Sequence, residues 1–230
     1  MDDSTAATSP FSFGASTRPA AAAAVEAKTD GEIVAVATQA SDAYHDVALH
    51  WALLVLIGTL AIFAAFPDLL RFWFDLFMGG WRPEPSLREL LTLLLVLAVA
   101  KFTAVLLVLR YMPLRLALTP AATKTRRAHR RAIALFKAAA ERRTVGRTGI
   151  LIYLSLAEHR AEIVADEAIT KVTTPETWGE AMAAMIREVK EGRIADGMAA
   201  AIERVGVVLA EHFPKSQDNP NEIPDKLIEL

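Results

Sequence analysis

Three carboxylates lie close together in the C-terminal half of the sequence and are its first candidates for catalysis. Glu162 and Asp166 fall in a segment that alternates as a β-strand, and Glu167 follows directly. Residues at even spacing share one face of a strand, so Glu162 and Asp166 are predicted to face the same way. Carboxylate oxygens are suitable ligands for Ca²⁺ or Mg²⁺, so a bound divalent cation is one hypothesis. The alternative, which we favour, is a charged strand edge that guards against aggregation.

A second candidate for metal binding lies near the C-terminus. His212 ends a predicted helix, and Asp218 follows in a polar tail. Imidazole and carboxylate groups both bind divalent cations, with Asp166 as the third candidate ligand. A histidine at a helix C-terminus is more simply explained by the helix dipole. The sequence has no nucleophile motif, glycine-rich phosphate loop or histidine pair at metal spacing, so no cofactor is firmly predicted.

The composition limits the class of protein that holds these residues. The chain has 230 residues, of which 53% are hydrophobic, and its formal net charge is −2. Such a chain accommodates one modest domain together with membrane segments. The absence of cysteine excludes a disulfide framework, a thiol nucleophile and a thiolate metal site.

Two long apolar runs predict a transmembrane hairpin within residues 47–118. The spans are predicted at about 47–66 and 90–109, and each is long enough, at about 1.5 Å per residue, to cross a hydrocarbon core of about 30 Å. Neither run has a polar face, which disfavours two core helices of a soluble protein. The segment 67–88 between them is rich in Phe and Trp, which favour the headgroup boundary, and is predicted to be an interfacial turn.

Charge next to the spans predicts the orientation. Residues 110–147 carry many basic side chains and a single acid, Glu141. The positive-inside bias places the C-terminal domain in the cytoplasm, and two spans return the N-terminus to the same side. The basic segment is interpreted as a topology determinant, as a binder of anionic lipid headgroups or as a nucleic-acid patch, and the last is disfavoured because no motif supports it. The predicted lipid-facing residues are Arg126, Arg127, Arg130 and Arg131.

Lys101 is the one charged residue near the middle of a predicted span. A cation there costs about 2.5–3.5 kcal/mol on the insertion scale, so a compensating contact is expected. The antiparallel helix offers Thr59 and the backbone at Gly58. A proton or ion relay is one interpretation, and a tolerated lysine is the one we favour, because the spans contain no acid to complete a relay.

The predicted domains are a mostly disordered acidic and Ala-rich tail over 1–46, the transmembrane hairpin over 47–118, and a soluble domain over 119–230. Within the tail, Glu32 to Thr38 has the composition of a strand. The fold class is α/β, an α+β-like small sandwich in which a short sheet is backed by helices, preceded by the hairpin. The elements predicted in the soluble domain are helices at about 125–141, 174–192 and 194–211 and strands at 149–156 and 160–166.

Several segments in a fixed order resemble the TPM domain, in particular the short bacterial membrane-protein branch of that family. They lie between Arg126 and Asp225, about half the chain, and are Thr148–Asp166, Trp178, Ala200–Gly206, His212–Pro214 and Asn221–Asp225. The resemblance implies an α/β sandwich and, through its bacterial branch, a location at the inner membrane of a bacterium. Relatives include a thylakoid-lumen photosystem repair protein with acid phosphatase activity and an accessory protein of an animal acetylcholine receptor. The leading strand and helix of full-length members are expected to be largely replaced here by the basic connection from the membrane.

Two functions follow as hypotheses from the residues and the resemblance. The first is a non-enzymatic, membrane-anchored interaction, assembly or maintenance factor, with the lipid bilayer and a membrane protein or a second copy as partners and with no nucleic acid. The second is a metal-dependent phosphate-ester hydrolase that uses Ca²⁺ or Mg²⁺. Transport through Lys101 is a third and weaker hypothesis, because two spans per chain line a pathway only in an oligomer.

Overall fold

The computed structural model describes residues 21–22, 24–25, 27–79, 84–139, 148–216 and 228–229. The chain divides into two compact units. The first, which we call the sheet domain, comprises Met1–Asp42 and Ala122–Leu230. The second, which we call the hairpin unit, is Ala43–Ala121.

A small mixed sheet forms the centre of the sheet domain. Its strands are β1 (Glu32–Thr38), β2 (Gly149–Ser155), β3 (Arg160–Ala165) and the two-residue β4 (Ile228–Glu229), in the order β3-β2-β1-β4. β1 is parallel to β2 with Glu32 opposite Gly149, and β2 is antiparallel to β3 with Tyr153 opposite Glu162. β4 adds a short parallel pairing to β1. The predicted hairpin of β2 and β3 is therefore confirmed, and β1 extends it to three main strands.

Strand β1 corrects the prediction of a disordered N-terminal tail. All seven residues of β1 are buried, and its apolar residues, such as Val34 and Val36, pack into the sheet. The structure has the strand alternative for Glu32 to Thr38, because helices cover both faces of the sheet and bury this short Val- and Ala-rich run. Residues 1–20 lie outside the described part of the chain. The hairpin unit consequently follows the first strand of the domain and does not precede the domain.

The helices form two consecutive groups along the chain, first those of the hairpin unit and then those of the sheet domain. Those of the hairpin unit are α1 (His45–Ala65), α2 (Pro67–Met78), α3 (Leu87–Val108) and α4 (Met112–Ala117). Those that follow are α5 (Ala121–Ala139), α6 (Glu167–Val172), α7 (Gly179–Lys190) and α8 (Ile194–His212), with a 3₁₀ turn at Pro175–Trp178 before α7. The periodicity predicted α5, α7 and α8 to within a few residues. It missed α6, which is only six residues long and too short to show a helical period.

The sheet is covered on both faces, which gives an α/β sandwich. On one face, α5 packs Ala128, Ala132 and Phe136 against β1 and β2. On the other face, α7 and α8 pack Met185 and Ile202, among others, in a larger core. A strand and a helix, β1 and α5, precede the β2–β3 hairpin, although elements at this position were expected to be largely replaced by the basic connection. The sandwich is mostly helical, and its core is continuous on each face of the sheet.

The hairpin unit contains two long apolar helices that pack against each other. The mean hydropathy is 2.3 in α1 and 2.6 in α3, and both are long enough to cross a membrane by length and composition. Small residues such as Ala52 and Ala98 are buried, which lets helix backbones approach closely. Thr59 is also buried and donates its hydroxyl to the Val55 carbonyl at 2.7 Å.

The predicted interfacial turn is in fact mainly a helix. α2 starts with Pro67 in its first turn, where the missing N–H costs nothing, and runs for twelve residues. Leu70 and Phe74 are buried, whereas Phe72 and Leu76 are exposed. The turn prediction failed here because the aromatic residues signalled an interface, and a compositional signal does not distinguish a turn from an amphipathic helix.

Candidate functional site

A network of buried polar groups lies where β1 and β2 end. The Tyr153 hydroxyl is 3.0 Å from the Thr38 hydroxyl and 2.8 Å from that of Ser41. The Glu158 carboxylate accepts from the Ser41 backbone N–H at 2.8 Å and from the Ser155 hydroxyl. Thr38, Tyr153, Ser155 and Glu158 are all almost fully buried. The network therefore holds the chain at Ser41, immediately before it leaves the sheet domain.

An ion pair reinforces the same point of the chain. Arg127 of α5 lies 2.7 Å from the Asp42 carboxylate, and its side chain is only 18% exposed. Arg127 was predicted to face lipid, together with Arg126, Arg130 and Arg131. These other three are exposed, so only Arg127 is engaged inside the sheet domain. The assignment of the remaining three to lipid stays a prediction.

The predicted carboxylates have three different partners. Glu162 is 3.3 Å from the His129 ring, and Glu167 pairs with Lys171 at 2.9 Å. Asp166 is buried and accepts from the Gly149 backbone N–H at 3.0 Å, which fastens the end of β3 to the start of β2. Within the described residues, no group of three or more His, Asp or Glu side chains is placed to hold a metal ion.

His212 is exposed at the last residue of α8, and Asp218 lies outside the described residues. The next carbonyl, that of Phe213, accepts from the Thr29 hydroxyl at 2.6 Å. The roles of His212, Asp218 and the carboxylates of the preceding segment in metal binding or catalysis stay predictions.

A buried arginine, Arg115, connects the two ends of the hairpin unit. The Arg115 guanidinium donates to the Leu109 carbonyl at 2.8 Å, to the Arg110 carbonyl at 3.3 Å, and to the Ala43 carbonyl. It therefore joins the segment before α1 to the end of α3, where unpaired carbonyls favour a cation. The sequence placed Arg115 only among the basic residues of the connection. The feature of the sequence that could have indicated this role was the position of Arg115 after Pro113, in what is the short helix α4.

Lys101 lies against an aromatic ring within the hairpin unit. Its ammonium is 5.8 Å from the centre of the Phe63 ring, a cation–π geometry. The predicted partner Thr59 has its hydroxyl bonded to Val55. The Phe63 ring is thus a contact for the Lys101 ammonium that the sequence analysis did not predict.

Two titratable groups near helix ends have shifted pKa values. Hydrogen bonds to Glu188 and Glu191 raise the pKa of Arg193, which lies between α7 and α8. The hydrogen bond from the Thr174 side chain lowers the pKa of Glu176 at the 3₁₀ turn. Both groups are exposed, so these shifts mark local pairing at the protein surface.

An open cavity of about 440 Å³ lies beside the polar network, on the opposite face of the sheet. It is lined by Gln39 after β1, by the β2–β3 turn, and by α7 and the start of α8. Ligands of open α/β sheets bind outside the carboxyl ends of the strands, where this cavity lies. Sequence analysis missed it because the lining residues come from segments far apart in the chain.

Comparison with known proteins identifies the domain type. Residues 114–208 match the TPM domain. The NMR structure of BA42 protein from the psychrophilic bacterium Bizionia argentinensis is similar, with a TM-score of 0.50 and 16% sequence identity, over 92% of this chain and 88% of that chain. At this identity the likeness concerns the fold alone. No curated protein matches the chain.

Proposed function

Since the chain carries a TPM domain over residues 114–208, we propose that it is a membrane-anchored TPM-domain protein that serves as an interaction or assembly factor for membrane proteins. In this proposal α1 and α3 span the inner membrane of a bacterium. The sheet domain lies at the cytoplasmic surface and binds a second membrane protein there. The protein carries out no reaction of its own.

The exposure of the two apolar helices is the observation that carries this proposal. Only 28% of the most apolar stretch of α1 and 6% of that of α3 are buried within the protein. A core helix of a soluble protein is mostly buried. Large side chains such as Ile57 in α1 and Leu95 in α3 are each 63% exposed. Exposed apolar area of this extent is stable in lipid and unstable in water.

In the chain, the hairpin unit is inserted between two parts of the sheet domain. This supports a location of both ends of the hairpin unit on the same side of the membrane. The chain leaves the sheet domain after Asp42 and returns at Ala122. A domain that folds as one body keeps these two residues on one side of a membrane, and two spans satisfy that requirement. The exposed basic residues of α5, Arg126, Arg130 and Arg131, favour the cytoplasmic side.

Edge strand β3 is the proposed docking surface for the partner. β3 ends the sheet order, so its outer N–H and C=O groups face no other strand among the described residues. Its side chains are half-buried and mixed in character, with Arg160 and Glu162 beside Ile163. An extended segment of another protein adds to such an edge through main-chain hydrogen bonds.

Topology is tested with single cysteines, because the natural chain has none. Asp75→Cys places a thiol on exposed α2, and Glu203→Cys places one on exposed α8. A membrane-impermeant maleimide is expected to label Asp75→Cys in spheroplasts and to label Glu203→Cys only after lysis. The reverse pattern contradicts the orientation, and equal labelling of both in the soluble fraction contradicts anchoring.

Docking is tested by a photoreactive amino acid at Val164 of β3, with Ala183 on the exposed face of α7 as the matched control. Irradiation of native membranes is expected to give one adduct of defined mass from position 164 and none from 183. The full-length protein in mild detergent is expected to run above its monomer mass of 25.0 kDa plus detergent. A monomer without adducts contradicts the proposal, and an adduct of twice the chain mass identifies a second copy as the partner.

Hydrolysis of phosphate esters has less support from the same residues. Glu162, Asp166 and Glu167 have separate partners, and Asp166 is tied to the backbone of β2. The full-length protein with a generic phosphate ester and Mg²⁺ or Ca²⁺ is expected to show no turnover above that of Asp166→Asn. Turnover that is lost in this variant while the fold is retained would establish the hydrolase instead.

A further inference from the structure

The cavity at the carboxyl ends of β1 and β2 has walls that are mainly apolar. Leu154 and Leu156 come from β2 and the residue after it, and Ile186, Val189 and Ile194 come from α7 and α8. Ile186 is 41% exposed, one of three large apolar side chains that are exposed among the described residues of the sheet domain. A volume of about 440 Å³ lies in the range of small-molecule sites, about 300–1,000 Å³.

The polar groups around the cavity have one sign of charge. The charged residues that line it are Arg160 and Lys190, and no carboxylate lines it. Because strand residues alternate, Arg160 points to the α5 face, as Glu162 and Val164 do, whereas Ala161 belongs to the core on the cavity's face. Lys190 and His159 are therefore the basic side chains of the rim, and Gln39 also lines the cavity.

The acids nearest to these residues in the chain do not line the cavity. Glu188 and Glu191 flank Lys190 in sequence, and both are paired with Arg193 at 2.6 and 2.5 Å. The Glu158 carboxylate of the turn is held by Ser41 and Ser155 on the other face of the sheet. The charged side chains of the rim itself are therefore basic, and they lie beside an apolar wall.

We propose that this cavity binds a single-chain anionic amphiphile, with its carboxylate or phosphate at Lys190 and His159 and its acyl chain against Leu154, Ile186 and Val189. An acyl chain removes the exposed apolar wall from water. A lysine ammonium and an imidazole N–H complement a compact anion. The site belongs to the sheet domain alone, so the proposal does not depend on membrane anchoring or on docking at β3.

Binding is measured by calorimetry with the full-length protein in nanodiscs of a zwitterionic phospholipid, after subtraction of protein-free nanodiscs. Four probes separate the contribution of the charged headgroup from that of the acyl chain: octanoate, octyl phosphate, octanol and inorganic phosphate. Lys190→Gln removes the rim charge, and Ala161→Phe fills the cavity. Lys171→Gln is the matched control, because Lys171 is an exposed lysine of α6 paired with Glu167 and does not line the cavity.

Octanoate or octyl phosphate is expected to bind at one site per chain, and the tighter of the two identifies the headgroup. Lys190→Gln is expected to weaken that binding about threefold, as for one exposed ion pair. Ala161→Phe is expected to abolish it, and Lys171→Gln to leave it unchanged. The loss of binding in Ala161→Phe is informative only if the circular dichroism of this variant matches that of the natural protein. If it does not match, Ile186→Ala is used in its place. This variant removes contacts with the cavity wall and is expected to weaken binding of the amphiphile.

Three results overturn the proposal. Octanol binding as tightly as octanoate shows a simple apolar pocket without charge selection. Inorganic phosphate binding as tightly as octyl phosphate shows an anion site without an acyl chain. The cavity binds no such amphiphile if the binding of octanoate and the binding of octyl phosphate both fail to saturate. The same conclusion follows if they bind equally well to a well-folded Ala161→Phe variant.

Discussion

The sheet domain and the hairpin unit bury their apolar residues to very different degrees. In the sheet domain every residue of β1 and β2 is buried, and Val36, Tyr153 and Met185 have no exposed surface. In the hairpin unit only 6% of the apolar stretch of α3 is buried. The two regions have similar apolar residues, so the difference lies in what surrounds them. One region supplies its own apolar surroundings, and in the proposed function lipid supplies them to the other.

The largest expected effect of a single substitution is in the buried strand. Val36→Asp places an unpaired carboxylate at a fully buried position of β1, which is expected to cost more than about 3 kcal/mol and to unfold the sheet domain. Val207→Asp is the matched control, since Val207 of α8 is 67% exposed. Near-ultraviolet circular dichroism of the solubilised proteins measures the outcome. A native spectrum for Val36→Asp would show that β1 is not an integral strand.

The polar network at the end of β1 gives the next largest effect. Glu158→Ala leaves the Ser41 N–H and the Ser155 hydroxyl without their acceptor in a buried site, at an expected cost of about 2–3 kcal/mol. Glu203→Ala on the exposed surface of α8 serves as the control. Urea unfolding followed by circular dichroism measures both. Equal midpoints for the two variants would mean that the network does not stabilise the domain.

Glycine substitutions are expected to have opposite effects in the two regions. A Cβ at Gly197 would lie 2.8 Å from the Met185 carbonyl and 2.9 Å from a Val189 methyl, where α7 and α8 approach closely. Gly197→Ala is therefore expected to destabilise the sheet domain by about 1–3 kcal/mol. At Gly58 in α1 nothing lies within 4 Å of the added Cβ, so Gly58→Ala is expected to stabilise the helix by up to about 1 kcal/mol. Thermal unfolding measures the change in stability of both variants. If the two substitutions changed stability in the same direction, the two regions would not differ in packing as described.

The lysine of the hairpin unit gives the smallest expected change. Lys101→Leu removes the cost of a cation in a span but also its contact with the Phe63 ring, worth about 0.5–1 kcal/mol. Titration with sodium dodecyl sulfate measures the separation of the two helices and not their insertion, so only a small part of the insertion cost counts, and a net gain below about 1 kcal/mol is expected. Phe63→Leu, which removes only the ring, is expected to lose stability. A loss of stability in Lys101→Leu would instead indicate that the lysine has a structural or functional partner.

The sequence predicted some elements of this comparison and missed others for identifiable reasons. Apolar runs and helical periodicity predicted α1, α3, α5, α7 and α8, because these signals are local. Strand β1 was assigned to a tail because its partner β2 lies more than 100 positions later in the chain, and a seven-residue run carries no sign of a distant neighbour. Its strand composition was the one available signal, in the segment Glu32 to Thr38.

The candidate site also depends on contacts between residues far apart in the chain, which the sequence pattern does not predict. Asp166 and Glu167 are adjacent in sequence, yet their side chains have different partners, Gly149 and Lys171. Ser41 and Glu158 are 117 positions apart and are joined by hydrogen bonds. Spacing along the chain predicts which residues share a strand face, but the neighbours that each side chain meets depend on tertiary packing.

The labelling rate of a single cysteine at Leu95 tests the central claim most directly. Leu95 lies in α3 and is 63% exposed, and Glu203→Cys on α8 provides the water-facing reference in a chain with no other cysteine. In open native membranes, a water-soluble maleimide is expected to label Glu203→Cys rapidly and Leu95→Cys only after unfolding in detergent. Equal rates at the two positions without detergent would contradict the account, because they would place the exposed surface of α3 in water.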